Sequence, residues 1–199
     1  MSTRDHTCDP AVVLRALRGL LRELRAVDHA AYAAVALTPT PTLDVPLRRL
    51  STAADYSRVW FAIGALLALV GGRTGRRAAL SGVASIGVTS AAVNLGLKAV
   101  GRRRPDRERH RVPQGRHVRM PTSTSFPSGH SAAGFAFANA VSAEVPGLAF
   151  PLYLLAFFVA YSRVHTGVHY PSDAIAGGLV GGVVGQTVAS LACHRPRRR

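Results

Sequence analysis

A chain of 199 residues and 21.0 kDa with 25 Lys and Arg against 10 Asp and Glu carries a formal charge of +15 and a pI near 11.5, which points to a polyanionic or phosphorylated partner. At 48% hydrophobic and 18% charged residues, with a mean hydropathy of +0.16, it is too apolar for a disordered basic tail or a small nucleic-acid-binding domain. Charge and apolar sequence must therefore be segregated along the chain.

Three windows, Ala78 to Leu97, Gly147 to Ser162 and Ala174 to Cys193, hold no Asp, Glu, Lys, Arg or His. A bilayer core takes about 20 apolar residues of helix, so the pattern is that of an all-α, multi-pass membrane bundle. The first long hydrophobic stretch comes only after residue 58, and insertion is expected to rely on internal segments. Cys8 and Cys193 lie at opposite ends with no metal-ligand spacing, so neither a disulfide framework nor a metal site is expected.

In chain order, residues 9 to 27 predict an amphipathic helix. Asp9 can cap it, Pro10 suits its first position, and Val13, Leu17, Leu20, Leu21 and Leu24 share one face opposite Arg15, Arg18, Arg22 and Arg25. Such a helix lies in the membrane interface against anionic lipid or packs on another subunit. The Pro-rich stretch 38 to 46 is expected to be a turn. A first span is expected over Ser51 to Gly72, a polar turn over Arg73 to Arg77, and a second span over Ala78 to Val100. A loop at 101 to 127 with eight arginines follows. Spans are then expected from Ser128 to about Val145, from Leu148 to Val164 and from Ser172 to Cys193. The organisation is thus an N-terminal helix and turn (1–50), a membrane domain of about five spans (51–193) and a basic tail (194–199). In the last span Gly177, Gly181 and Gly185 form a small-residue seam, suited to close packing within the bundle or, alternatively, to a homodimer.

With five spans, the loops at 101 to 127 and 165 to 171 share one membrane face, where three polar clusters collect. Lys98 precedes Arg102, Arg103 and Arg104-Pro105, a point charge and planar forks suited to phosphate oxygens, although basic residues also flank most spans as topology and headgroup signals. Lys98 is the only lysine beside 24 arginines. Next, Pro127-Ser128-Gly129-His130 marks a loop becoming a helix, so the N–H groups of Ser128, Gly129 and His130 are expected to be open to an anion, with His130 as a proton donor. Lastly, Arg163, His165, His169 and Asp173 surround a short loop. Asp173, four residues after His169, can accept from one ring nitrogen and leave the other as a nucleophile. A structural Arg163–Asp173 ion pair is the alternative. His165 is expected to face water, and His110 and His117 to lie in the loop.

These pieces resemble the three motifs of the type 2 phosphatidic acid phosphatases, the lipid phosphate phosphatases, which share a site with vanadium haloperoxidases. The pattern is Lys-x6-Arg-Pro, then Pro-Ser-Gly-His, then Ser-Arg-x5-His-x3-Asp. The second motif is matched at Pro127 to His130 and the third at Ser162, Arg163, His169 and Asp173, whereas only five residues separate Lys98 from Arg104. A helix end has to absorb the missing residue. The resemblance spans about residues 51 to 193 and is similar in flavour to actinobacterial members.

The resemblance implies a cell-membrane, metal-independent, acid phosphatase-type phosphoric ester hydrolase that needs no cofactor. His169 attacks phosphorus to give a phosphohistidine, Asp173 fixes its tautomer, and His130 protonates the leaving oxygen and then activates water. Lys98, Arg104, Ser128, Gly129 and Arg163 hold the phosphate oxygens. The expected substrate is a phosphomonoester or diphosphate of a lipid: polyprenyl-linked phosphate, phosphatidic acid or phosphatidylglycerol phosphate, and no nucleic acid. A lipid phosphotransferase and a non-catalytic module binding anionic lipid are the competing readings.

Overall fold

The computed structural model describes residues 10–193. Cys8, the Asp9 cap and the basic tail at 194–199 lie outside the described residues. Seven helices are present among them: α1 (Pro10–Leu37), α2 (Pro41–Ala53), α3 (Arg58–Val70), α4 (Gly72–Ala91), α5 (Gly129–Glu144), α6 (Ala149–His165) and α7 (Pro171–Cys193). The last three begin and end within about a residue or two of the predicted spans. Their limits are written in Ser128 as a cap, in Pro146 and in Pro171.

α5 is the axis of the bundle, with α4, α6 and α7 packed around it. Trp60 of α3, Ile86 of α4, Phe137 and Val141 of α5 and Leu152, Ala156 and Val159 of α6 form one apolar core. The glycine seam of α7 serves this packing: a Cβ added at Gly177, Gly181 or Gly185 would stand 2.3, 2.1 or 2.5 Å from the carbonyl oxygen of Ser128, Ala132 or Ala136 on α5. Only a hydrogen side chain lets the two backbones come so close. The outer faces are apolar as well. α6 exposes Phe150, Leu154, Phe157 and Phe158, and α7 exposes Ile175, Leu179, Val183 and Leu191, a surface made for hydrocarbon rather than water.

By length and composition three helices can cross a bilayer, over Gly72–Ala99, Pro146–His165 and Pro171–Ala192, and the pair Pro41–Ala53 and Asp55–Val70, bent by 65°, counts as a fourth if its halves are one broken span rather than a re-entrant loop. The count of five is not reached by that measure. α5 has 16 residues and reaches only about 24 Å, against a hydrocarbon core of about 30 Å; it is surrounded by other helices.

Three expectations need correction. The stretch 38 to 46 is not simply a turn: α1 runs on to Leu37, and α2 starts at Pro41 and carries Pro46 within it. Pro41 stands where its missing N–H costs nothing. The buried Arg116 secures the corner, bonding Val35 O and Thr38 O at the end of α1 and Thr40 Oγ1 and Asp44 Oδ1 at the start of α2. Second, the expected first span is broken at residues 55–57, where Tyr56 and Ser57 take φ values of 56° and 59°. Side chains in this left-handed region cost about 1 kcal/mol or more, so the kink is held by its surroundings. Third, Arg73 to Arg77 is helical, because α4 already begins at Gly72.

Candidate active site

The corner between α6 and α7 turns on Gly167, whose φ is 72° and which L side chains would strain. It delivers His169 to the end of the bundle and leads into Asp173 in the first turn of α7. His169 is 2% exposed and Asp173 is fully buried. Asp173 Oδ2 accepts from Ser125 Oγ (2.6 Å) and from the Tyr170 N–H (2.8 Å) and lies 3.6 Å from His169 Nδ1, while Oδ1 accepts from Arg102 Nη1 (2.8 Å). On the other side of the ring Nε2 faces Arg104 Nη1 at 3.2 Å. Burial drives the His169 imidazole down to about 4, with Arg104 and Arg163 adding to the effect and Asp173 opposing it. The ring is therefore neutral near pH 7, with Nδ1 turned to a carboxylate and Nε2 turned to a guanidinium.

Lys98 and Arg104 flank an irregular end of α4. There the helix widens into a π turn over Ala92–Gly96, tightens over Leu97–Val100, and reverses at Gly101 with φ of 68°. As a result Lys98 Nζ and Arg104 Nη2 converge on one hydroxyl, Ser123 Oγ, at 3.0 and 3.3 Å. Arg104 is oriented further by the carbonyls of Ser123, Thr124 and Val168, and burial lowers its pKa from the usual arginine value.

At the start of α5, Gly129 and His130 occupy the first two helical positions, where N–H groups have no helical carbonyl to reach. Ser128 differs from expectation: its N–H donates to Asp173 O (2.9 Å), and its hydroxyl accepts from Ser131 Oγ (3.0 Å). That backbone bond ties the start of α5 to the start of α7. His130 Nε2 is 2.9 Å from Asp55 Oδ1, at the kink between α2 and α3. Arg163 sits behind them, 1% exposed. Its Nη1 donates to Ser51 O and Ser51 Oγ and approaches Asp55 Oδ1 at 3.4 Å, and its Nε has no hydrogen-bond partner among the described residues. The alternative Arg163–Asp173 pair is not formed, since the arginine on Asp173 is Arg102.

These groups close one end of a cavity of about 750 Å³, lined by Lys98, Arg104, Gly129, His130 and His169. Trp60, Phe61, Val83, Ile86, Val93 and Ala133 continue it as a mainly apolar trough between α3, α4 and α5, with Thr89, Ser90 and Asn94 as polar points along α4, and the loop at 119–123 borders it. Ser128, Arg163 and Asp173 stand one layer behind the lining. Among the described residues no three His, Cys, Asp or Glu side chains come together in a way that could hold a metal ion. The structure thus offers cations and helix N–H groups to an anion, two histidines on the same cavity, and an apolar continuation.

Sequence reasoning missed Asp55, Ser125 and Asp28, and it set Arg102 among the cations facing phosphate, whereas the structure places it on Asp173. The signal for Asp55 was present, as the only acid in the stretch 51–72, and a carboxylate at membrane depth is seldom idle. Ser125 carried none. His165 does not face water: it is 1% exposed, with Nε2 at 2.9 Å from Thr40 Oγ1 and 3.2 Å from Asp44 Oδ1. His110 and His117 lie in the long loop, bonded to Asp106 O and Val112 O.

Comparison with known proteins bears on the family and the fold. Residues 78–197 match the PAP2 superfamily. Decaprenylphosphoryl-5-phosphoribose phosphatase of Mycobacterium tuberculosis is 32% identical over 93% of this chain and 97% of that protein. Lipid A 1-phosphatase of Rhizobium etli is 42% identical over 42% of this chain, and the matched part is 37% of that longer protein. Among solved structures, a transmembrane PAP2 type phosphatidylglycerolphosphate phosphatase from Bacillus subtilis superposes with a TM-score of 0.67 at 21% identity, covering 89% of this chain and 90% of its own. LpxE of Aquifex aeolicus gives 0.62 at 23% identity, covering 81% and 93%. With a family match over more than half of its length and a mycobacterial relative aligned almost from end to end, this membrane chain belongs to the PAP2 superfamily.

Proposed function

We propose that the protein is an integral phosphatase of the cell membrane that removes phosphate from a lipid phosphate through a phosphohistidine. The observation that carries this reading is the two-part cavity, in which the cations and both histidines close one end while Trp60, Ile86 and Val93 line the rest. A phosphate meets charge at one end of such a space and its hydrocarbon stays in apolar surroundings at the other. Among the lipid classes, a polyprenyl-linked phosphate is favoured, because the relative matched over nearly the whole chain is a decaprenylphosphoryl-5-phosphoribose phosphatase.

In this mechanism Lys98, Arg104 and the N–H groups of Gly129 and His130 hold the nonbridging oxygens, with Arg104 turning part of its fork from Ser123 to the phosphate. His169 Nε2 attacks phosphorus, and the bond from phosphorus to the alkoxide breaks. Asp173 holds the Nδ1 proton and stabilises the imidazolium that forms. His130, steadied by Asp55, gives its proton to the alkoxide, then takes one from water as the water attacks phosphohistidine, releasing phosphate and free His169. Charge on the phosphate is met by side chains and N–H groups of the chain itself, so release is expected without divalent cations. Ser128 and Arg163 support the site from behind, Ser128 through its bond to Asp173 O and Arg163 through Asp55.

The test is phosphate release by detergent-purified protein from a panel comprising a polyprenyl-phosphoryl sugar phosphate, a polyprenyl diphosphate, phosphatidic acid and phosphatidylglycerol phosphate, with EDTA present. Release from the polyprenyl substrates that persists in EDTA and disappears in His169→Ala is the expected result. Release that needs a divalent cation, or survives in the variant, overturns the mechanism.

A further inference from the structure

Asp28 lies on α1, outside the three motifs and 144 residues from the α7 start that it touches. It is buried to 8% exposure and accepts three hydrogen bonds. Oδ1 accepts from the Ser172 N–H at 2.8 Å, and Oδ2 accepts from Ser172 Oγ at 2.7 Å and from Arg102 Nη2 at 2.5 Å, the last also an ion pair. Arg102 uses its other nitrogen, Nη1, for Asp173 Oδ1 at 2.8 Å and for Ser172 Oγ at 2.7 Å. Its guanidinium lies 4.1 Å from the centre of the Tyr170 ring, which fixes the plane of the fork. One arginine thus spans two carboxylates, Asp28 on α1 and Asp173 beside His169.

We infer that Asp28, acting through Arg102, is a positioning residue for the Asp173–His169 pair, so that α1 is a working part of the site. The inference rests on the proposed role of His169 as nucleophile. Two features separate it from simple helix packing. Asp28 supplies α7 with an acceptor for the Ser172 N–H, one of the first-turn donors that a helix cannot satisfy itself, so it fixes the turn that carries Asp173. It also shares the charge of Arg102. Without Asp28 that charge acts on Asp173 alone and draws Oδ1 away from the position in which Oδ2 faces His169 Nδ1. Among the described residues Ser125, Tyr170 and His169 all meet Asp173 at Oδ2, so the hold on Oδ1 comes from Arg102.

α1 is an unusual place for such a residue. In its first half Val12, Val13, Leu14, Leu17, Leu20, Leu21, Leu24 and Val27 are 43 to 67% exposed. Its second half sits on the bundle through Tyr32 and Ala36. Asp28 marks the join, where α1 is fastened to the start of α7.

The test compares Asp28→Asn, Asp28→Glu, Arg102→Lys and His169→Ala in full-length detergent-purified protein, with phosphate release from a polyprenyl-phosphoryl sugar phosphate and thermal unfolding measured side by side. Asp28→Asn keeps an acceptor for Ser172 and loses the charge on Arg102. It is expected to lower kcat about tenfold, by analogy with the outer-shell partners of metal-bound histidines, with KM within twofold and an unchanged unfolding midpoint. Asp28→Glu is expected to recover most of the loss. Arg102→Lys, whose single ammonium cannot bridge both carboxylates, is expected to follow Asp28→Asn. A kcat within twofold of the parent in both Asp28→Asn and Arg102→Lys overturns the inference, as does a loss that appears in KM and unfolding with kcat unchanged. Release surviving in His169→Ala instead brings down the reading of the site and this inference with it, so the two failures are told apart.

Discussion

The two histidines of the cavity are built in opposite ways. His169 and its carboxylate come from one short segment, four residues apart, and are sealed: His169 is 2% exposed, Asp173 is fully buried, and Ser125, Tyr170 and Arg102 occupy the carboxylate. His130 and its carboxylate come from residues 75 positions apart, and both remain partly open, with side-chain exposures of 22% and 33%. The difference fits the tasks proposed for them. A nucleophile gains from a fixed geometry and a dry surrounding. A group that must give a proton to a leaving oxygen and take one from water has to reach solvent.

Loss of the sealed side is expected to be the more severe. In the proposed mechanism His169→Ala removes the nucleophile, and kcat should fall by about a thousandfold or more, as when a nucleophile is deleted from a coupled site; covalent labelling with a radioactive lipid phosphate should fail as well. A His169→Ala protein that still forms a labelled phosphoprotein would sink the assignment. His130→Ala should cost about 100-fold and in a more selective way. With a nitrophenyl phosphate, whose leaving group needs little protonation, the variant should show a rapid burst of nitrophenol followed by slow turnover, because breakdown of the phosphohistidine lacks its base. Equal slowing of burst and steady state would remove His130 from the second step.

Asp55→Asn tests the open side one layer out and should cost about tenfold in kcat, less than His130→Ala because the histidine remains. Rates within twofold of the parent would mean that His130 is steadied by something else. The smallest effect is a titration. Since burial holds His169 at about 4, its ring should stay neutral as the pH is lowered from 7 to 5 and take up a proton only near 4, losing the Nε2 lone pair there. Histidine NMR in micelles reads this directly, and a midpoint near the ordinary value of about 6.5 would show that the sealed side is wetter than the geometry implies.

The same contrast explains what could be read in advance. Lys98, Arg104, Gly129, His130, His169 and Asp173 were placed by short local patterns at the ends of apolar windows, and the structure brings them to one cavity end or directly behind it. Ser128 and Arg163 were visible for the same reason, although their partners were not: Ser128 is tied to Asp173 O and Arg163 to Ser51 and Asp55. Asp55 and Asp28 escaped because each acts on a residue far along the chain, and a lone acid at the edge of an apolar run has no periodicity to give it away. The α1–α2 corner misled for a related reason. Pro-rich sequence argues against helix locally, and only Arg116, more than 70 residues later, supplies the bonds that let α2 start at Pro41.

By itself the sequence determined where hydrocarbon-facing helices lie, where α5, α6 and α7 begin and end, and which side chains carry charge at the ends of those helices. These are local quantities, set by runs of apolar residues, by proline and serine at helix starts, and by spacings of four residues. The tertiary structure alone decided the kink at Tyr56, the use of the glycine seam within the bundle, and the pairing of Asp55 with His130 and of Arg102 with Asp173 and Asp28. Burial makes an unpaired charge costly, and which charge finds which partner follows from how the helices meet.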